Sequence, residues 1–410
     1  MRNAVLARLL GAGGATLAAL AMIPAGSAIA AGATARAAPR TVPVVVAWGG
    51  NGHGVLGNGT ATSSSTPVHV KLPAGQRFVT LRSDVFSLAV SASGRVYSWG
   101  FNGSGELGDG TTTTHRTPRR VRLPAGVKVK TARIGGDFAL ALTTGGKLLA
   151  WGYNGSGELG NGSTTEQHRP VRVQLPKGVR ITAISAGFDH ALALTRTGRV
   201  LSWGGNFAGQ LGDGTVAGRD VPGYVQLPKH TTVSSLAASD DDSFAVTSGG
   251  RLLAWGYNTF GELGDGTTAN RETPVFVQLP AGVKVTAATA GLFHTLALTA
   301  GHKVLAWGDN TYGQLGTGST VSHHKPVWVR LPAGTKARAL AGGEYFSVLL
   351  TTRARILTWG RNAEGELGNG TTTDRHLPAR VHLPRGFTPT VIGAGWRAVD
   401  VLAAGRQGPD

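Results

Sequence analysis

Residues 138–160 read FALALTTGGKLLAWGYNGSGELG, and this stretch decides the fold class. Residues 138–142 alternate in side-chain size with a period of two, which predicts a β-strand. Residues 144–146 predict a hairpin turn, and residues 147–151 predict the return strand. The loop that follows opens with Asn154-Gly155, a pair that favours backbone angles open mainly to glycine and asparagine. The stretch therefore predicts a β-hairpin with a glycine-rich exit loop.

The same stretch recurs along the chain at a first interval of 51 residues and then at intervals of 52. Each copy has a tryptophan followed by glycine, a proline 19 residues later, and a second proline 25 residues later in a Leu-Pro pair. Three columns that keep their register through seven copies predict a propeller or a solenoid. Each indole is expected to pack between neighbouring units. The seven tryptophans are Trp48, Trp99, Trp151, Trp203, Trp255, Trp307 and Trp359.

The two ends of the repeat region favour a ring over a solenoid. Residues 44–48 form a return strand with no inner strand before it, whereas residues 394–403 form an inner strand with no return strand after it. Pairing these fragments closes a circle and covers both sheet edges, whereas a solenoid usually has altered capping repeats. No segment has apolar residues at helical spacing. The sequence predicts an all-β, seven-bladed β-propeller over residues 44–404, closed by its terminal strands.

The repeat resembles that of the regulator of chromosome condensation family. Residues 186–214 carry the pattern AG-x-x-H-x-LALT-x-x-G-x-V-x-x-WG-x-N-x-x-G-Q-LG-x-G. The resemblance implies a seven-bladed propeller, but it does not fix a function, because such propellers serve as exchange factors, scaffolds and inhibitors. The founding member is implied to use a β-wedge inserted into one blade to act on a small GTPase. The seven units here differ by at most one residue, so no small-GTPase partner is expected.

A second resemblance concerns the start of the ring. Residues 45–50, VVAWGG, and the closure arrangement are similar to those of a secreted bacterial propeller that inhibits β-lactamases. That family has shorter repeats, and the long glycine-rich loops of this chain depart from it. The resemblance suggests an inhibitor that grips a protein with the loops of one face, without identifying its target.

The first 30 residues predict export of the protein from the cell. Residues 1–30 have a positively charged start, an apolar run over 9–26 and a small-x-small cleavage site at 28–30, which together predict a secretory signal peptide. An uncleaved membrane anchor is the alternative. Residues 31–43 and 405–410 are predicted to be a disordered lead-in and tail. The expected protein is secreted and monomeric, with no membrane span after signal removal, and its Ala, Gly and Arg bias suggests a bacterial source.

The composition limits the chemistry of the chain. It has no cysteine, which excludes disulfides, thiolate metal sites and a cysteine nucleophile. Its formal charge of +18 predicts attraction to anionic partners. Basic residues recur on one predicted outer strand and its connectors, which suggests a basic rim, although a soluble surface explains them equally well. These residues are Arg116, Arg119, Arg120, Arg122, Lys128, Lys130 and Arg133.

The variable positions of the repeat predict a binding face. Counting back from each tryptophan gives a triplet of residues per blade, between the small residues and the alternating strand, which should surround one mouth of the channel. Acidic and aromatic side chains dominate the first two columns, as they do on protein-binding surfaces. The predicted face consists of Asp84, Asp137, Phe188, Asp189, Asp240, Asp241, Leu292, Phe293, Glu344, Tyr345, Trp396 and Arg397.

Three other features of the repeat could have either a structural role or a chemical role. The third triplet column, with His190 and His294, is expected to be structural, its histidines bonding within the blade. Residues 240–242, Asp-Asp-Asp, form a weak Ca²⁺ candidate, against which we favour a solvated acidic loop. A repeated column could supply paired catalytic carboxylates, but its recurrence favours bonds to the backbone of the glycine loops. The column consists of Glu106, Glu158, Gln210, Glu262, Gln314 and Glu366.

The sequence thus predicts a secreted, non-enzymatic binding protein without a cofactor, which engages a protein partner through one face, inhibition being one form of that role. The first alternative is adhesion to an anionic envelope polymer or nucleic acid through the basic rim. The second alternative is a hydrolase or lyase at the channel mouth.

Overall fold

The computed structural model describes the backbone of residues 41–406 and the side chains of residues 44–404. The predicted signal peptide, residues 31–40 of the predicted lead-in and residues 407–410 of the predicted tail lie outside the described residues. The described part forms seven antiparallel sheets of four strands each, and it contains no helix, so none that could cross a membrane. The predicted all-β, seven-bladed propeller is confirmed.

Each blade has an inner, a second, a third and an outer strand. The inner strands are β3(Phe78–Ser83), β7(Val129–Ile134), β11(Ile181–Ala186), β15(Val233–Ala238), β19(Val285–Ala290), β23(Ala337–Gly342) and β27(Thr388–Ala394). The second strands are β4(Phe86–Ser91), β8(Phe138–Thr143), β12(His190–Thr195), β16(Asp242–Thr247), β20(His294–Thr299), β24(Phe346–Thr351) and β28(Ala398–Arg406).

The third strands carry the tryptophans, and the outer strands carry the first proline of each repeat. The third strands are β5(Val96–Gly100), β9(Leu148–Gly152), β13(Val200–Gly204), β17(Leu252–Gly256), β21(Val304–Gly308), β25(Ile356–Gly360) and β1(Thr41–Gly49). The outer strands are β6(His115–Arg120), β10(Gln167–Arg172), β14(Arg219–Tyr224), β18(Arg271–Phe276), β22(His323–Trp328), β26(Arg375–Arg380) and β2(Ser64–His69). Blades 1 to 6 begin at β3, β7, β11, β15, β19 and β23, and blade 7 has the order β2-β1-β28-β27.

Blade 7 closes the ring as predicted. β1 pairs with β28 from Thr41 opposite Arg406 to Gly49 opposite Ala398, and β2 and β27 complete the sheet. Residues 41–43 and 405–406 therefore lie in paired strands and not in the predicted disordered lead-in and tail. The strands continue past the predicted bounds because each residue of one strand has a backbone partner on the other.

The tryptophans pack between blades, as predicted. All seven side chains are fully buried, and each indole Nε1–H donates to a backbone carbonyl in the exit loop of the preceding blade, at 2.6–2.9 Å. Gly160 shows how closely these groups pack: its φ is +58°, and a Cβ there would lie 2.7 Å from Nε1 of Trp203. One buried indole contributes about 4–6 kcal/mol of apolar burial before entropy is counted.

Trp203→Phe is expected to lower the free energy of unfolding by about 2 kcal/mol or more. The change leaves the buried carbonyl of Glu158 without its donor, which costs about 1–3 kcal/mol, and it also removes packed volume. Trp328→Phe is the matched control, because Trp328 lies on an outer strand and is 43% exposed. Urea unfolding of both variants measures the difference. Equal effects would contradict the role assigned to the interblade indoles.

The glycine-rich loops are held by side chains as well as by glycines. The predicted turn angle at Asn154 is wrong, because its φ is not positive. Its buried amide instead donates to the carbonyls of Ser163 and Thr165 and accepts from the backbone N–H of Leu159. An asparagine occupies this position in all seven blades, so the amide acts as a staple across each loop.

Candidate binding face and central channel

The antiparallel order of each blade gives the ring two chemically opposite ends. The turns between inner and second strands and the loops between third and outer strands open at one end, which we call the acidic-aromatic face. Together these segments contain 17 Asp and Glu residues, with Arg361 and Arg397 as their only Lys or Arg. These segments are 84–85, 135–137, 187–189, 239–241, 291–293, 343–345, 395–397, 50–63, 101–114, 153–166, 205–218, 257–270, 309–322 and 361–374.

The other end of the ring, which we call the basic end, consists of the turns between second and third strands and the connectors between blades. These segments contain 19 Lys and Arg residues and no Asp or Glu. The segments are 92–95, 144–147, 196–199, 248–251, 300–303, 352–355, 70–77, 121–128, 173–180, 225–232, 277–284, 329–336 and 381–387. Of the seven residues predicted for the basic rim, only Arg122 and Lys128 lie at this end. The outer strand β6 carries Arg116, Arg119 and Arg120, and the inner strand β7 carries Lys130 and Arg133.

The residues predicted for the binding face all lie at the acidic-aromatic face, in two sets. One set lines the mouth of a central channel with a cavity of about 500 Å³: Asp84, Asp137, Phe188, Asp240, Leu292, Glu344 and Trp396. The other set lies away from the channel, against the exit loops: Asp189, Asp241, Phe293, Tyr345 and Arg397.

Backbone bonds between blades fix the channel mouth. Gly136 N–H donates to the carbonyl of Phe188, and Phe188 N–H donates to that of Asp240, at 2.9 and 2.8 Å. At the closure, the Asp84 carboxylate accepts instead from Trp396 N–H at 3.0 Å. The blade 1 turn has two residues, 84–85, where blade 2 has three, 135–137. This shorter turn explains the 51-residue interval. It also means that Asp84, which the count back from the tryptophans aligns with Gly136, follows its inner strand directly, as Gly135 does.

The pKa values of the carboxyl groups on blades 1 to 4 are raised, which favours their neutral form. Burial raises the pKa of Asp84 to about 7, of Asp240 to about 6 and of Asp241 to about 8, and neighbouring carboxylates add to each increase. Burial also raises the pKa values of Asp137 and Asp189. The Gln210 amide bridges two of these groups, donating to Asp241 at 3.1 Å and to Asp189 at 3.3 Å.

Blades 4 to 6 present a continuous row of aromatic rings. Phe293 contacts Tyr257 and Phe260, with ring centroids 6.4 and 4.8 Å apart, and it contacts Tyr345 at 6.0 Å. Tyr345 in turn contacts Tyr312 at 5.1 Å. The row thus consists of two rings predicted for the face and three from the exit loops that sequence reasoning missed. A comparison of the variable positions two and five residues after each tryptophan would have found them.

Arginines and glutamates border the aromatic row. Arg361 pairs with Glu344 at 3.1 Å, and its guanidinium lies 5.9–6.0 Å from the ring centres of Tyr312 and Tyr345. Arg397 bridges Glu344 and Glu364 at 3.4 and 2.7 Å. These pairs hold the border in one geometry. The face therefore combines a partly protonated acidic half with a rigid half of aromatic rings and arginine.

The Asp240–Asp242 candidate does not form a cation site. Asp240 lines the channel, Asp241 bonds to Gln210, and Asp242 is buried at the start of β16 with Oδ1 unbonded, so the three carboxyl groups do not share one centre. Within residues 44–404, no group of three or more His, Asp or Glu residues is arranged to hold a metal. Asp242 does not belong to a solvated acidic loop either, because the residue at this position of the repeat is buried in every blade.

The histidines of the third column are structural, but the predicted bond within the blade is wrong. His190 and His294 are fully buried and bond to Ser243 and Ser347 of the next blade, each at 2.9 Å. Because Ser243 donates to the carbonyl of Gln210, it accepts from His190 Nε2–H. Burial lowers the pKa of His190 to about 3 and of His294 to about 4, so both are neutral.

The Glu and Gln column builds the loops, as predicted. Glu106 accepts from Ser104 N–H at 2.9 Å, and the equivalent bond recurs in five further blades. Burial raises the pKa values of Glu106, Glu158 and Glu262 to about 7. One carboxyl oxygen of each glutamate is bonded to its own loop, whereas Oε1 of Glu106, Glu158 and Glu262 is buried without a hydrogen-bond partner.

Comparison with known proteins gives one family. The model of the RCC1-like domain matches residues 45–407. The chain is 32% identical over 352 residues to the ultraviolet-B receptor UVR8 of Arabidopsis thaliana, covering 85% of this chain and 80% of that protein. Among solved structures, human WBSCR16 superposes with a TM-score of 0.79 at 25% identity, covering 89% and 99% of the two chains. Yeast RCC1 (Prp20) superposes with a TM-score of 0.80 at 22% identity, covering 90% of each.

Proposed function

Because the chain belongs to the RCC1-like domain family, we propose that it is a secreted, non-enzymatic binding protein that holds a protein partner on its acidic-aromatic face. RCC1-like propeller proteins mediate protein interactions, and most are regulators and receptors without catalysis. The proposal that the protein is secreted rests on the signal-peptide pattern of residues 1–30. Inhibition of the bound protein is one form that this function can take.

The observation that carries the proposal is the aromatic row of Tyr257, Phe260, Phe293, Tyr312 and Tyr345. Aromatic and arginine side chains on rigid supports are the residues that dominate binding energy in protein interfaces. The row needs little ordering on binding, because its rings already contact one another and stand on short turns and stapled loops. Elsewhere on the same face, Phe207, Phe188 and Trp396 are 63%, 48% and 42% exposed.

The adjacent acidic half indicates the chemistry of the partner. A protein with an apolar patch beside a basic segment would place the patch on the aromatic row and the basic segment over Asp137, Asp189 and Asp241. Bringing a cation close favours the ionised carboxylate, so partner binding should lower the raised pKa values of Asp189 and Asp241. Binding should then release protons near neutral pH.

The test is differential capture from the producer's culture and envelope fractions, with the chain from Ala31 as bait. The variant Phe260→Ala/Phe293→Ala/Tyr345→Ala removes the centre of the row, and Tyr224→Ala/Phe276→Ala/Trp328→Ala is a control that removes three rings near the basic end. We expect one stoichiometric partner that the wild type and control retain. The face variant should weaken its affinity by at least about 30-fold, as loss of a hot-spot residue does. Equal binding of that partner by the face variant would refute the proposal.

The basic end carries a second candidate function, adhesion to an anionic polymer. Cations there stack on outer-strand rings: the Arg251 guanidinium lies 3.2 Å from the Phe276 ring centre, and that of Arg199 lies 3.5 Å from the Tyr224 ring centre. Such a surface binds polyanions by charge, with affinity that falls steeply with salt. Retention on an anionic matrix that the face variant keeps, and that moderate salt abolishes, would assign polymer binding to this end.

A further inference from the structure

The central channel contains two arginines at one level of the ring. Arg82 on β3 and Arg133 on β7 stand opposite Leu88 and Leu140 of their second strands, so they occupy the same position in adjacent blades. Arg133 was predicted for the basic rim, and this prediction is wrong, because it lies on an inner strand and lines the channel. The other five blades have small residues at this level: Ser185, Ala237, Thr289, Ala341 and Gly393.

The two guanidinium groups have few partners within the protein. Arg82 Nη1 donates to the carbonyl of Leu81 at 2.6 Å, and Arg133 Nη1 donates to Thr131 Oγ1 and the carbonyl of Ala132 at 3.0 Å. Among residues 44–404, no carboxylate lies within 4.0 Å of either group. A guanidinium has five N–H donors, so most donors of this pair remain available.

The electrostatics of the pair favour an anion between or beside the two groups. Two cations in a partly desolvated channel repel each other, and burial removes the water that would screen them. Burial lowers the pKa of Arg133 to about 9, with Arg82 adding to the effect, and burial lowers that of Arg82 as well. The small residues across the channel leave the cavity of about 500 Å³ open in front of the arginines.

We propose that the central channel binds a small oxyanion of the phosphate class between the guanidinium groups of Arg82 and Arg133. The planar fork of arginine matches two oxygens of a tetrahedral phosphate, and two forks on adjacent strands match a multivalent anion. A carboxylate would satisfy one fork only. This site goes beyond the proposed partner face, because it lies inside the ring and uses none of the exposed rings.

The cavity that contains the arginines is also lined by Asp84, Asp137, Asp240 and Glu344 of the acidic-aromatic face, and none of the turns or connectors of the basic end lines it. Burial raises the pKa of Asp84 to about 7 and of Asp240 to about 6, which reduces the negative charge that an entering anion meets at this mouth. The hydrogen bond from Arg133 to Thr131 also points its guanidinium along the inner strand toward the basic end, where β7 begins. The Arg133 guanidinium is therefore directed away from the carboxyl groups of the mouth.

Calorimetric titration of the wild-type chain at low ionic strength tests the proposal. The probes are inorganic phosphate, pyrophosphate and glucose 6-phosphate, which distinguish the free anion from a phosphorylated small molecule. We expect one site per chain, at least 10-fold weaker in Arg82→Met and in Arg133→Met and absent in the double variant. Lys147→Met, at an exposed turn of the basic end, is the matched control and should bind as the wild type does.

Thermal unfolding provides the second readout. Phosphate should raise the Tm of the wild type and of Lys147→Met, but not that of the double variant. Without anion, the double methionine variant should be at least as stable as the wild type, because it loses the repulsion between the two cations. Methionine keeps the length of the side chain, so a folded double variant is expected. Equal phosphate binding by that variant, or no binding by the wild type at millimolar phosphate, would overturn the proposal.

Discussion

Deletion of residues 41–49 is expected to abolish cooperative folding of the ring. These residues are β1, which pairs with β28 on one side and β2 on the other, so their loss exposes two unpaired strand edges. The deletion also removes the fully buried side chains of Val46 and Trp48. Burial of a valine contributes about 1.5–3 kcal/mol and that of an indole about 4–6 kcal/mol, which together approach the 5–15 kcal/mol that stabilises a whole domain.

Circular dichroism, size-exclusion chromatography and thermal unfolding measure this outcome. The control is a chain that begins at Arg40, which keeps β1 and should unfold in one sharp transition. The chain that begins at Gly50 should aggregate or melt without a transition, and a synthetic peptide of residues 41–49 should restore part of the fold. A sharp transition in the shortened chain without the peptide would show that blade 7 is dispensable for closure.

Asp400→Leu is expected to stabilise the protein, and the gain should grow with pH. Asp400 is fully buried in β28 opposite Gly393, and neither of its carboxyl oxygens has a hydrogen-bond partner. Ser83 lies nearby, but its proton serves Ser87, because Ser87 donates its own proton to the carbonyl of Val55. The equivalent second-strand residues are all apolar: Leu88, Leu140, Leu192, Phe244, Leu296 and Val348.

The pH dependence follows from the pKa of Asp400, which burial raises from 3.8 to about 7. The native state favours the neutral acid, so the stability that this group allows is complete below pH 3.8 and is lost as the pH rises through 7. The difference corresponds to on the order of 4 kcal/mol. Urea unfolding at pH 5 and pH 8.5 should show a larger advantage of Asp400→Leu at the higher pH. Asp400→Asn cannot ionise, so its stability advantage over the wild type should change with pH in the same way. That advantage should be smaller than the advantage of Asp400→Leu at each pH. A pH-independent difference would contradict the assignment.

The fold could be predicted from the sequence, because the blades of a propeller correspond to units that recur at a fixed interval in the sequence. The positions of Trp203 and its six equivalents predicted interblade packing, and the incomplete units at the two ends predicted closure. Both follow from local patterns that repeat, and both are confirmed. The 51-residue interval, in contrast, has its cause in a turn at Asp84 that is one residue shorter than its equivalents, and a sequence pattern alone does not show which segment is short.

The site was less predictable, because its contacts join residues from different blades. The aromatic row brings Phe260 beside Phe293 and Tyr312 beside Tyr345, pairs that lie 33 residues apart in the sequence. His190 bonds to a serine 53 residues later, so its partner could not be found within its own repeat. Arg133 was misplaced for a related reason: its charge suggested a surface strand, whereas its side chain lies half-buried in the central channel.

The closing pair β1 and β28 also determines how the molecule can be tethered. Thr41 and Arg406 face each other across the sheet at the basic end, because β1 runs away from that end and β28 runs toward it. An affinity tag, a fluorophore or a support coupled at position 41 or 406 would therefore be attached on that side, with the aromatic row directed to the open solution. Immobilisation through these positions should leave capture by the acidic-aromatic face intact, and it should also leave the cavity of Arg82 and Arg133 accessible, because that cavity is lined by the turns of the same face.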